Sequence, residues 1–126
     1  MKWSSNFKDM KKVRLYGLPH CSTCQKAVEF LENAGVTIEK FHDVKEEKLS
    51  RKKIEELVKL VGGAAKLFSK RAMKYRSMGL NEMELSDDDL IGYMVDEYTF
   101  IRRPVLVSGD FAMAGFAKKK YEEFVK

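Results

Sequence analysis

The chain has 126 residues, with 24 basic and 19 acidic side chains, a formal net charge of +5 and two cysteines. That length fits a single domain able to bury a core without disulfide staples, and its charges are interleaved rather than gathered into the basic clusters of a dedicated nucleic-acid binder. No apolar run approaches the roughly 20 residues of a membrane helix and Met1 to Lys12 lacks the apolar centre of a signal peptide, so the expected setting is cytoplasmic, with no membrane association and no direct nucleic-acid partner.

Met1 to Lys12 holds Trp3 and Phe7 without a clear period, and residues 1–12 are expected to be a poorly ordered leader. Val13, Leu15 and Tyr16 then form a short β-prone segment ending at Gly17, and Ala27, Phe30, Leu31 and Ala34 recur at helical spacing until Gly35. Between them lies Pro19-His20-Cys21-Ser22-Thr23-Cys24-Gln25-Lys26, which contains both cysteines. At such a strand-to-helix junction Cys21 sits near unpaired backbone N–H groups and the positive end of the helix dipole. These stabilise a thiolate and can lower its pKa to roughly 3.5 to 7.5, which makes Cys21 the expected nucleophile. Cys24, one turn further in, would lie about 5 to 6 Å away between Cα atoms, within reach of a disulfide, and is the expected resolving thiol. In a reducing compartment a close thiol pair is more often catalytic or redox-sensing than a permanent staple. Two blander alternatives stand beside this reading. One is half of a zinc site, which would need four ligands when only His20 and His42 remain to join the cysteines, so no metal is expected. The other is a pair of inert structural thiols. His20 itself reads as a solvated loop histidine.

Val36 to Val44 is the expected second strand, which makes a βαβ unit whose right-handed crossover carries the cysteine loop to the carboxyl ends of the strands. Ser50 reads as an N-cap for Ile54, Leu57, Val58 and Val61, closed by Gly62-Gly63. A short helical piece through Leu67 and Phe68 follows. A third helix opens at Ser86 with Asp89 as a capping box, and Ile91, Met94, Val95 and Tyr98 form its apolar face. Met73, Met78, Met83 and Met94 are expected to fill gaps in the core. The period then changes. Pro104-Val105-Leu106-Val107 reads as a strand, Ser108-Gly109-Asp110 as a turn and Phe111 to Gly115 as its hairpin partner. Ala117, Tyr121, Phe124 and Val125 predict a last helix, with Lys118-Lys119-Lys120 on its solvated face. The order is β-α-β, helical insertion, β-β-α, an α/β thioredoxin-like layout with a small mixed sheet. It is expected as one domain over residues 13–126 with the insertion at about 50–99.

Over nearly all of residues 13 to 125 the chain resembles the arsenate reductase/Spx family. The resemblance rests on Leu15-Tyr16-Gly17, Cys21-Ser22-Thr23-Cys24-Gln25-Lys26-Ala27, Ser69-Lys70-Arg71, Arg102-Arg103-Pro104 and Ala114-Gly115-Phe116. It implies a thioredoxin fold with a helical insertion and a cis peptide before Pro104. In the reductases of that family, the cysteine matching Cys21 attacks the arsenic of arsenate while arginines hold the oxyanion. Guanidinium groups and helix N-terminal amides suit that task, since they stabilise delocalised negative charge as well as the attacking thiolate. Arg103 is the best-matched arginine, expected to point inward with Arg102 outward. Arg71 matches an arginine of the insertion in Spx-like members, whereas reductases place one about two residues earlier, where this chain has Ser69. No arginine occurs between Ser108 and Ala117, where the reductases carry a third. Cys24 stands where those enzymes commonly lack a cysteine, which moves the chain toward members that use an internal disulfide.

The resemblance thus implies a thiol-disulfide oxidoreductase. Cys21, Cys24 and Arg103 are its expected catalytic residues, and Arg71, Arg103, Pro104, Ser22 and Thr23 its expected substrate contacts. No bound cofactor is expected, and glutathione or another thiol reductant is the expected co-substrate. The substrate would be a small oxyanion, glutathione or a disulfide partner, and a monomer is the default state. The alternative is an Spx-like redox-sensing transcription regulator that binds the RNA polymerase alpha subunit. Gly63 matches a glycine of the polymerase-contacting face in that branch, although a glycine closing a helix is also ordinary capping.

Overall fold

Lys12 already belongs to the first strand of the computed structural model, which describes residues 11–126. The leader expected over residues 1–12 therefore falls, through Met10, outside the described residues. Two compact units are formed, one by the residues through Asp43 with Arg103–Lys126, the other by Val44–Arg102.

The first unit is a four-stranded sheet in the order β2-β1-β3-β4, built from β1 (Lys12–Gly17), β2 (Thr37–Asp43), β3 (Val105–Ser108) and β4 (Phe111–Ala114). In β1, Val13 and Leu15 are buried while Arg14 between them is exposed, the alternation of a strand with one face on a core. β1 runs parallel to β2 and antiparallel to β3. β3 and β4 form the expected hairpin, in which Ser108 pairs with Phe111 across Gly109-Asp110. Gly109 takes a positive φ of 59° there, a conformation that costs a glycine little. Helix α1 (Ser22–Asn33) links β1 to β2, and α6 (Lys118–Val125) ends the chain. Between these two helices the chain passes through the second unit. Val13, Leu15, Ala27, Leu31, Val36, Leu106 and Tyr121 make the buried cluster of the sheet unit. The Tyr121 ring meets Phe116 at 4.6 Å and Phe30 at 6.0 Å, both edge-on, the arrangement aromatic pairs prefer. Together these elements form a mixed α/β sheet with the thioredoxin-like order.

The second unit is helical, with α2 (Arg51–Val61), α3 (Ala64–Leu67), α4 (Met73–Ser77) and α5 (Asp87–Asp96), and short 3₁₀ turns at Leu80–Glu82 and Tyr98–Phe100. The Ser50 side chain accepts a hydrogen bond from the Lys53 amide at the start of α2. Gly62 closes that helix in the left-handed region, at φ 96°. At α5 the capping box is complete, the Ser86 side chain accepting from the Asp89 amide and the Asp89 carboxylate accepting from the Ser86 amide. Phe68 stacks on Phe100 and bridges to Ile101.

One expectation fails in this unit. Met94 is buried at 1% exposure, but Met73, Met78 and Met83 are exposed at 90%, 49% and 53%. For Met73 the reason lies in local structure: α4 has no buried residue at all, so there is no core stripe for it to join. Among the described residues no helix is long and apolar enough to cross a membrane.

Candidate functional site

The end of β1 turns through Leu18, Pro19 and His20 into α1, and the Cys21 amide donates to the Leu18 carbonyl at 3.2 Å. The Gln25 side chain donates to the Pro19 carbonyl at 3.1 Å, tying the loop to the first turn of the helix. Cys21 is the N-cap of α1, in extended backbone conformation, and its carbonyl receives the first helical hydrogen bond, from the Gln25 amide at 2.9 Å. Its sulfur therefore stands among the N–H groups that a helix start leaves without intrahelical partners.

The two thiols, three residues apart, meet opposite surroundings. Both are free cysteines, Cys21 half-buried and Cys24 buried. At Cys21 desolvation is the largest influence and opposes the thiolate. The backbone N–H of Cys24, the Cys24 thiol, the backbone N–H of Thr23 and the Arg103 charge together outweigh it and hold the thiol below its usual range. Cys24 is pushed up to about 11, chiefly by burial, with the neighbouring Cys21 adding to the effect against the Leu18 amide and Arg103. An anion is favoured at the helix end and a protonated thiol one turn deeper.

Arg103 is half-buried and Arg102 exposed, and of these two only Arg103 acts on the thiols. Its charge is the smallest of the influences on Cys21, behind the helix-start amides and the Cys24 thiol. The Arg103–Pro104 peptide is cis, Pro104 is buried, and its carbonyl accepts from the Gly115 amide at 2.8 Å. Ser22 is exposed and Thr23 half-buried in the first turn of α1. The sheet unit thus carries Cys21, Ser22, Thr23, Cys24, Arg103 and Pro104. Arg71 belongs to the helical unit, where it is exposed just before α4 and its amide donates to the Ser69 hydroxyl.

Two features of the sheet unit escaped sequence reasoning. The His42 ring stacks on Tyr16 with centroids 4.6 Å apart and planes 6° from parallel, pairing the carboxyl-end residues of β1 and β2. A groove of about 670 Å³ runs between α1 and β2, and Cys24 is among its lining residues with Val28, Ile38 and Phe41. Neither has a local signal, because each joins residues of different elements. Among the described residues, no group of three or more His, Cys, Asp or Glu side chains is arranged to hold a metal ion.

Comparison with known proteins finds both sequence relatives and solved structures of like fold. The profile of the ArsC family matches residues 16–124. The arsenate reductase of Escherichia coli is 29% identical over 105 residues, covering 79% of this chain and 70% of that protein. The global transcriptional regulator Spx of Lactiplantibacillus plantarum is 24% identical over 114 residues, covering 90% and 86%. Among solved structures, the arsenate reductase from Vibrio cholerae superposes with a TM-score of 0.79 at 24% identity, over 90% of this chain and 97% of that one.

Proposed function

Because the chain belongs to the ArsC family, we propose that it is a thiol-disulfide oxidoreductase. The Cys21 thiolate attacks a small oxyanion or a disulfide, and Cys24 resolves the adduct. The observation that carries this reading is the contrast between the thiols: an anion favoured at the start of α1, beside a buried thiol pushed up to about 11. With arsenate, the Cys21 thiolate forms an S–As bond as one oxygen leaves as water, its protons drawn from solvent. Cys24, giving up its proton, then attacks the Cys21 sulfur. The Cys21–Cys24 bond forms as the S–As bond breaks, and the electron pair stays on arsenic, which leaves as arsenite. Two equivalents of glutathione or another external thiol reduce the disulfide. Arg103 and the helix-start amides stabilise the oxyanion before and during attack. Ser22, Thr23 and Pro104 shape the site, and Arg71 is the proposed second guanidinium for the oxyanion.

The test is turnover of arsenate with glutathione, and of glutathione disulfide with a thiol reductant, by the wild type, Cys21→Ser and Arg71→Ala. Loss of turnover in Cys21→Ser with a weaker apparent affinity for arsenate in Arg71→Ala is the expected result. Turnover that survives Cys21→Ser defeats the reading. A redox-sensing regulator is the alternative, favoured by the similarity to Spx over most of both chains. A wild type that turns over neither substrate but forms a redox-dependent complex with the RNA polymerase alpha subunit decides for it.

A further inference from the structure

Gly17 closes β1, and its backbone does not demand glycine: its φ lies outside the positive range that Gly35, Gly62, Gly79 and Gly115 occupy. A neighbour excludes the side chain instead. A Cβ placed on Gly17 would lie 2.7 Å from Cys24 Sγ, closer than Cβ atoms approach other heavy atoms, whereas Phe41 Cζ at 3.4 Å and Cys24 Cβ at 3.6 Å would be tolerable neighbours. The conflict is with the sulfur alone. That sulfur swings on one torsion, sits on a helix that restricts its rotamers, and belongs to a residue only 1% exposed, so close packing leaves it little room to retreat.

We propose that Gly17 is the positioning residue for Cys24: the bare backbone at the end of β1 is the seat of the Cys24 sulfur and holds it where it can close onto Cys21. This rests on the reading of Cys24 as the resolving thiol. With oxidised glutathione as the oxidant, the Cys21 thiolate attacks one glutathione sulfur, and a mixed disulfide forms as the first glutathione leaves. Cys24, giving up its proton, then attacks the Cys21 sulfur. The Cys21–Cys24 bond forms as the bond to glutathione breaks, and the second glutathione leaves, so that two protein thiols are oxidised and one glutathione disulfide becomes two glutathione thiols. A methyl on residue 17 pushes directly on the resolving sulfur, and it reaches the first attack only through the hydrogen bond by which the Cys24 thiol supports the Cys21 thiolate.

The experiment takes the full chain as wild type, Gly17→Ala, Cys24→Ala and the double variant. Each is reacted with oxidised glutathione, quenched by alkylation and resolved by mass, and the thermal midpoint of each reduced protein is measured. Gly17→Ala should accumulate the mixed disulfide, with closure slowed roughly tenfold or more and slowed more than its formation, since displacing a reacting group by under an ångström is costly. It should also lower the thermal midpoint of the wild type but not that of Cys24→Ala, where no sulfur remains to be displaced. Should Gly17→Ala alone fail to fold, a double variant that folds normally supports the seat, and one that also fails overturns it. Closure in Gly17→Ala as fast as in the wild type, or an equal drop in thermal midpoint in both backgrounds, overturns the assignment of Gly17 while leaving the resolving role intact. A wild type that never closes overturns the resolving role, and this proposal with it.

Discussion

The cysteine site of the sheet unit and the α4 stretch of the helical unit differ in how much packing surrounds their side chains. In the first, Leu15, Leu31 and Leu106 are fully buried at 0% exposure, and this frame carries a half-buried thiol at a helix end directly above a buried one. In the second, the stretch around α4 presents Arg71, Met73, Lys74 and Met78 to solvent on a helix with no buried residue. Its neighbour α5 is fixed by the Ser86–Asp89 capping box. A reacting group gains its chemistry where buried packing fixes its neighbours. An exposed segment offers charge and contact area to solvent.

The largest test of this contrast is stability. Leu31→Ala should destabilise the reduced protein by about 2–5 kcal/mol, since truncating a fully buried leucine loses transfer energy and leaves a cavity. The measurement is urea unfolding, and a cost near that of a surface substitution would break the contrast.

The next test is the titration of Cys21, followed by thiolate absorbance in the ultraviolet. Cys24→Ala removes a stronger influence than Arg103→Ala does, so the rise in the Cys21 pKa should be larger in Cys24→Ala. It should be smaller in Arg103→Ala and absent in Arg102→Ala. Stability must follow with opposite signs for the two thiols. Burial pushes Cys24 up to about 11, so its contribution is fully present below the ordinary thiol value of about 8.5 and is lost as pH rises toward the folded value. The lowered Cys21 contributes above the ordinary value and loses that contribution as pH falls through its folded value. The wild type should therefore lose stability relative to Cys24→Ala as pH rises past about 8.5. A difference that stays flat with pH would show that burial does not tune Cys24.

The smallest effect sharpens the contrast from the other side. Met73→Ala, at a residue 90% exposed, should change unfolding stability by less than about 0.5 kcal/mol and leave the Cys21 titration untouched. A cost of several kcal/mol there would mean that this methionine is covered in solution.

Much of the fold was legible from local chemistry. A β-prone segment ending at Gly17 marked β1, helical spacing and Gly35 bounded α1, Ser86 with Asp89 announced α5, and the turn residues placed the β3–β4 hairpin. Each of these signals acts between residues a few positions apart, so the amino-acid order alone carries it. The same holds for Cys21 at a helix start, whose thiolate depends on amides of its own first turn. Which methionines find a core, how far Arg103 lags behind the helix amides at Cys21, and why Gly17 carries no side chain were decided only in the tertiary structure. Each depends on a neighbour brought in from another element or on how deeply packing buries a group, and neither distance nor burial is written in the spacing of residues along the chain.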